Sequence, residues 1–218
     1  MIVVHYLPDS RAHRIVWLLE ELGLPYDIVT HQRLESRRAP PSLKAIHPLG
    51  KSPVIVDDDR VIAESGAIID YILRRYGNGR LQPSASDKQY EDYVYWMHAA
   101  EGSMAAHLIM HVFAARANPD APIMQRLDEE VLNQLDFVDA SLRGRDYILG
   151  DTFSAADIQL SYAGEVVDGR FGLDDFRNIA AWMGRLRARP AYKAAIARAG
   201  ELHMKVQHNK PLRRAAAT

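Results

Sequence analysis

The chain has 218 residues, 48% of them hydrophobic, and a formal net charge of −1 at pH 7. That length can bury one large core or two modest ones, and the near-neutral balance argues against nucleic-acid binding through phosphate neutralisation. Cysteine is absent, which removes disulfides, thiolate metal sites and any protein thiol nucleophile. Any thiol chemistry must bring its sulfur with the substrate. No apolar run approaches the ~18 residues of a membrane span, and a cytoplasmic location is expected.

Ile2–Tyr6 reads as an opening strand from its β-branched content, too short and polar-ended for a leader. Ala12, Ile15, Val16, Leu19 and Leu22 recur at helical spacing, and Gly23 with Pro25 ends that helix. Tyr26–Thr30 is a second strand. His31–Ala45 is polar and carries Pro40-Pro41, which suits a loop with one short helix. Pro53–Asp57 and Arg60–Ile62 make a hairpin around Asp57-Asp58-Asp59. Ser65, Ile68, Ile69, Ile72 and Tyr76 then line one helix face, closed by Gly77-Asn78-Gly79.

The order β-α-β-α-β-β-α is that of a thioredoxin-like unit, assigned to residues 1–79. Residues 80–86 read as a linker, and 87–218 as an all-helical domain. In that second part Tyr90, Val94, Met97 and Glu101 mark one long helix, and Ile123 through Leu142 another. Ser154-Ala155-Ala156-Asp157 forms a capping box with Asp in place of Glu, and Phe153 is placed to staple onto Ile158. Trp182, Leu186 and Tyr192–Ala199 complete the helical part. The basic Lys210-Pro211-Leu212-Arg213-Arg214 is read as a frayed tail.

The stretch Gly50-Lys51-Ser52-Pro53-Val54-Ile55-Val56 is the most informative. A trans proline disfavours sheet pairing, whereas a cis bond turns the chain and frees the Ser52 backbone. Downstream, Glu64 and Ser65 stand where a helix begins, so a carboxylate, a hydroxyl and unpaired N–H groups converge. Such a site suits a small extended peptide with a free α-amino group and a free carboxylate. Glutathione is the candidate.

Several segments, in this order, resemble cytosolic glutathione transferases over nearly the whole chain. His5-Tyr6-Leu7-Pro8-Asp9-Ser10-Arg11 resembles the Tyr-Leu-Pro-Gly-Ser loop of serine-type members. Trp17 through Tyr26 is similar to the first helix and turn of bacterial and fungal members. His47-Pro48-Leu49-Gly50-Lys51-Ser52-Pro53-Val54 resembles the family's Asn-Pro-x-Gly-Lys-Val-Pro-Val motif, whose proline is cis. Tyr147 through Asp157 resembles the capping motif of the helical domain, and Glu64-Ser65 matches the pair holding the γ-glutamyl end. His47, Ser52 and Asp9 depart from the family pattern, which has Asn, an apolar β-branched residue and glycine there.

The resemblance implies the glutathione transferase fold, a homodimer, and glutathione as co-substrate with no other cofactor or metal. A thiol near pKa 8.5 is mostly protonated at neutral pH, so a hydrogen-bond donor must favour the thiolate. Ser10, just before the first helix, is the preferred donor, although a plain capping serine fits the same position. Tyr6 is the rival, and a strand tyrosine is more often packing. Lys51, Ser52, Pro53, Glu64 and Ser65 are assigned to glutathione, with a solvated lysine, a first-turn acid and a capping serine as the ordinary alternatives for Lys51, Glu64 and Ser65. Arg11 tunes the thiolate field or faces solvent.

In the long helix, Met104, His107 and His111 suit a polar–apolar groove for an electrophile. His107 and His111 are four apart, but no third ligand at zinc spacing follows. The expected function is transfer of the glutathione thiolate to an electrophile, as in detoxification, with hydroperoxide reduction as an accompanying activity. The alternative is a non-catalytic binding or regulatory relative.

Overall fold

The computed structural model describes residues 1–203 and Leu212; the rest of the basic tail lies outside the described residues. Two compact units are present, Met1–Tyr90 with Leu186–His203, and Glu91–Arg185.

The first unit is built on a four-stranded sheet in the order β2-β1-β3-β4. β1 (Ile2–Tyr6) runs parallel to β2 (Tyr26–Thr30) on one side and antiparallel to β3 (Val54–Asp57) on the other. β4 (Arg60–Ala63) pairs antiparallel with β3 across the expected acidic turn. Being paired on both sides, β1 is buried on both faces: Ile2, Val4, His5 and Tyr6 all lie in the interior. β2 and β4 are edges, and Val29 and Val61 are accordingly exposed.

α1 (Ala12–Leu22) buries Ile15, Val16, Leu18 and Leu19 completely. It stops at Gly23 in the left-handed conformation, φ 64°. The Gly23 N–H donates to Glu20 O and the Leu24 N–H to Leu19 O, a Schellman closure that a side chain at Gly23 would strain. α2 (Pro41–Ile46) is the expected short helix in the polar stretch. α3 (Ser65–Tyr76) is anchored to β3 through Asp57, whose carboxylate accepts from the Tyr71 and Tyr76 hydroxyls. Burial alone would raise the Asp57 carboxyl, but the two tyrosine bonds, with the charges of the N-terminus and Arg75, outweigh it and hold it below the usual range. For Tyr71, burial and the same bond push the phenol up to about 12.

The second unit is helical: α4 (Tyr90–Ala99), a π-helical segment Ala100–Ala105, α5 (Ala106–Ala117), α6 (Ile123–Ser141), α7 (Ala155–Phe171) and most of α8 (Arg177–Ala188). The expected long helix is therefore one continuous run interrupted by a wider turn, and His107 Nδ1–H donates back to the Ser103 carbonyl within that turn. Ser154 and Asp157 form the capping box of α7. The Asp157 carboxylate, fully buried, also accepts from Ile148 N and Trp182 Nε1, both at 2.9 Å. Burial raises its pKa, against the pull of those donors.

The last helix, α9 (Pro190–Ala199), belongs to the first unit and packs on α1. Tyr192 meets Trp17 edge-on at 5.1 Å, and Arg189 makes a two-point bond to Glu21, 2.6 and 2.9 Å. Periodicity alone groups this helix with those before it, because an amphipathic helix does not announce which core it covers.

Candidate active site

The register of the sheet brings the sequence motifs together. Val54 pairs with His5 of β1 and with Ala63 of β4. One step outward on each strand stand Tyr6, Pro53 and Glu64, so the end of β1, the start of β3 and the start of α3 share one edge. The Ser52–Pro53 bond is cis. Before it, the His47 carbonyl accepts from Gly50 N at 2.8 Å, and Gly50 takes φ 57° to close that turn. Lys51 is exposed at its tip.

Ser10 is buried. Its Oγ accepts from the Ala12 N–H at 3.2 Å and donates at a long 3.4 Å to Ser52 Oγ, which in turn donates to the His5 carbonyl at 3.1 Å. The capping position of α1 itself is Arg11, half-buried. Ser10 thus serves the helix start as an acceptor only, and its hydroxyl proton is committed to no more than the long bond to Ser52. Capping and donation, the two readings of Ser10, are compatible. Besides the backbone that the cis bond frees, Ser52 has a side chain that bridges β1 and Ser10. Tyr6 lies within β1, 1% exposed.

The loop bearing Ser10 is held from outside. Asp9 takes φ 55°, a conformation Asp tolerates far better than most residues and which suits the family's glycine. Arg33 donates to the Pro8 and Asp9 carbonyls at 2.8 and 3.0 Å. The Asp9 carboxylate accepts from Arg37 and from the His203 N–H, both at 2.8 Å. Burial would raise the Asp9 carboxyl, but the His203 and Arg37 bonds outweigh it and lower it. Behind the loop, His5 Nδ1 lies 3.0 Å from His31 Nε2, and His31 Nδ1 lies 2.8 Å from Ser42 Oγ on α2. Burial lowers both imidazole pKa values, and for His5 the neighbouring His31 lowers it further.

Glu64 is exposed and occupies the capping position of α3 at φ 72°, ψ 119°, without a side-chain cap. Ser65, the first helical residue, is buried, and its Oγ accepts from Arg14 NH1 at 3.1 Å. Nothing in the sequence alone singles out Arg14. A charged residue inside an amphipathic helix reads as solvent-facing, and no spacing signal marks it otherwise.

Family models match both parts of the chain: "Glutathione S-transferase, N-terminal domain" over residues 1–74 and "Glutathione S-transferase, C-terminal domain" over residues 100–190. The chain belongs to the glutathione S-transferase family. Glutathione S-transferase 3 of Schizosaccharomyces pombe is 36% identical over 212 residues, 89% of this chain and 86% of that protein. Glutathione S-transferase 1 of Saccharomyces cerevisiae is 30% identical over 226 residues, 93% and 97% of the two. Among solved structures, a glutathione S-transferase from Actinobacillus pleuropneumoniae superposes with a TM-score of 0.86 at 36% identity, covering 94% of this chain and 95% of that one. A family member from Pseudomonas fluorescens, solved with two glutathione molecules bound, gives 0.73 at 25% identity, covering 89% and 92%.

In the helical unit of this transferase-family chain the groove candidates have distinct settings. Met104 lies in the π-helical segment, buried beside Leu135, Val138 and Trp182. His111 is buried and its Nε2–H donates to Asp128 at 2.8 Å, whereas His107 is half-buried, 4.0 Å from Glu130. Among the described residues, no group of three or more His, Asp or Glu side chains is placed to hold a metal.

Proposed function

We propose that this protein binds glutathione along the edge formed by Ser52, Pro53, Glu64 and Ser65 and joins its thiolate sulfur to an electrophile. The observation that carries the reading is the placement of Ser10: a buried hydroxyl whose acceptor side is occupied by Ala12 N and whose proton faces only a long 3.4 Å contact to Ser52. A thiolate arriving there is a better acceptor than a neutral hydroxyl, because charge-assisted bonds are roughly twice as strong. Lowering the thiol pKa by about two units requires about 2.7 kcal/mol, within reach of one such bond beside the start of α1. The thiol proton leaves to solvent, and the carbon–sulfur bond forms as the electrophile's leaving group departs or its ring opens.

The remaining assignments follow from charge. The cysteinyl backbone of glutathione pairs with the Ser52 main chain beside Pro53. Glu64 accepts the γ-glutamyl amino group, Ser65 donates to its carboxylate, and Lys51 meets the glycyl carboxylate. On α5, His107 with the exposed Met110 and Phe113 offers a mildly polar surface to the electrophile, while the buried Met104 and His111 shape it from behind. Residues 1–79 act as the glutathione-binding domain, 80–86 as linker and 87–218 as the electrophile-binding domain, with α9 reinforcing the first. Two copies associate: Tyr95 and Phe137 are half exposed, cluster with Trp96, and leave an aromatic face uncovered in one copy.

The test is turnover with glutathione against a panel of aryl halides, epoxides and organic hydroperoxides. Conjugation of at least one electrophile is expected. Glutathione binding without turnover across the panel sinks the enzyme reading in favour of a binding module.

A further inference from the structure

We propose that Arg14 is a positioning residue for the γ-glutamyl carboxylate of glutathione, acting through Ser65; the inference rests on the glutathione site proposed above. Arg14 is completely buried in α1, and its NH1 donates to Ser65 Oγ at 3.1 Å. Withdrawing a guanidinium from water costs several kcal/mol even after relaxation, and arginine is almost never fully buried without partners. The neighbouring positions of the helix are filled by Ile15, Val16 and Leu18, so an apolar side chain would complete the same core without that cost. The charge sits where it has a use.

That use follows from donor and acceptor arithmetic. A guanidinium can only donate, so in this contact the Ser65 oxygen is the acceptor. The serine proton must then point away from Arg14, which makes Ser65 a donor toward the edge shared with Pro53 and Glu64. Donation from an arginine also polarises the hydroxyl and strengthens its onward bond to an anion. Glu64, the adjacent residue, presents the opposite sign. The pair therefore complements a zwitterionic amino-acid head: Glu64 takes the ammonium group, and Ser65 backed by Arg14 takes the carboxylate. If Arg14 served only to tie α1 to α3, its removal would weaken the fold without telling one ligand from another.

The experiment measures binding of two ligands to the full chain by calorimetry. One is glutathione; the other is 4-aminobutanoyl-cysteinyl-glycine, which lacks only the γ-glutamyl α-carboxylate. The ratio of the two dissociation constants is the readout. Wild type is expected to prefer glutathione, and Arg14→Gln to lose that preference by a roughly ten- to hundred-fold fall in the ratio. Arg14→Lys, which keeps the charge, retains most of it. Ser65→Ala lowers the ratio as Arg14→Gln does, and the double variant lowers it little further, because both act on one bond. If Arg14→Gln does not fold, Ser65→Ala and Arg14→Lys decide. An unchanged ratio in Ser65→Ala, or an Arg14 variant that weakens both ligands equally, overturns the proposal and leaves a structural tie. Wild type that binds both ligands alike also overturns it, whereas wild type that binds neither removes the glutathione site itself.

Discussion

Ser10 Oγ and Ser52 Oγ face each other at 3.4 Å across the gap between the β1–α1 loop and the start of β3. That separation is long for a hydroxyl pair, so little holds the Ser10 proton in place. Ser10→Ala is expected to raise the pKa of bound glutathione and slow turnover by roughly ten- to thousand-fold, as loss of an oriented donor does. Glutathione affinity changes little, since its other contacts remain. Tyr6→Phe, altering a side chain enclosed in β1, leaves the thiol pKa where it was. Thiolate absorbance against pH decides; the reverse pattern moves the assignment to Tyr6.

Glu64 carries two opposed effects. Its carboxylate is proposed to hold the glutathione amino group, while its backbone at φ 72° costs of order 1–3 kcal/mol. Glu64→Ala and Glu64→Gly should both weaken glutathione binding by about 1.5–3 kcal/mol. Without ligand, Glu64→Gly should be the more stable of the two by about 1 kcal/mol, because glycine accepts that conformation. Calorimetry and thermal unfolding separate the effects. Equal stabilities would mean that the backbone there is unstrained.

Much of this arrangement is readable in the chain, for identifiable reasons. The Pro53 and Glu64 motifs flank a hairpin whose turn is explicit in Asp57-Asp58-Asp59, so their convergence follows from antiparallel register. Ser154 and Asp157 declare the start of α7 through the spacing of a capping box just before an apolar run. Other features leave no such trace. The π-helical turn at Ala100–Ala105 alters the helical phase within a single turn, too briefly to disturb the apolar pattern. Arg14 and the Ser52 side chain take their roles from contacts 51 and 42 residues away, which no local pattern encodes.

Asp157 is a heavily bonded buried carboxylate of the helical unit, accepting from Ile148 N, Ser154 N, Ser154 Oγ and Trp182 Nε1. Asp157→Ala removes the acceptor of all four donors, a buried unsatisfied one costing about 1–3 kcal/mol, and is expected to lose roughly 3–5 kcal/mol of stability. Asp157→Asn keeps the shape and one acceptor oxygen and should lose less. Urea unfolding gives both values. A loss below about 1 kcal/mol for the alanine variant would mean that water replaces the carboxylate.

The aromatic face on α4 and α6 tests the assembly. Phe137 is half exposed, stacked on Trp96 at 5.5 Å and edge-on to Tyr95 at 6.2 Å. Sedimentation at micromolar concentration should find a species of twice the 24.6 kDa chain mass. Phe137→Lys places a charge in that face and should shift the population to single chains with the fold retained. A wild-type protein that sediments as a single chain contradicts the dimer outright.

Acid stability depends on His13, 2% exposed between α1 and α9, with its ring 5.0 Å from that of Tyr192. Its Nε2 has no hydrogen-bond partner among the described residues. Burial, assisted by the adjacent Arg14 charge, pushes its pKa down to about 4 from 6.5. The folded protein therefore refuses a proton that the unfolded chain accepts below pH 6.5. Stability is full above that pH and is lost as pH falls from 6.5 toward 4, where the folded imidazole also titrates. The loss attributable to His13 is about 3 kcal/mol. His5 and His31, also lowered by burial, act in the same direction. His13→Leu removes both the titration and an unpaired buried nitrogen, so it should match or exceed wild-type stability at pH 7.5 and gain on it further at pH 5. Denaturation midpoints at the two pH values provide the comparison. Parallel losses in the two proteins would assign the acid sensitivity elsewhere.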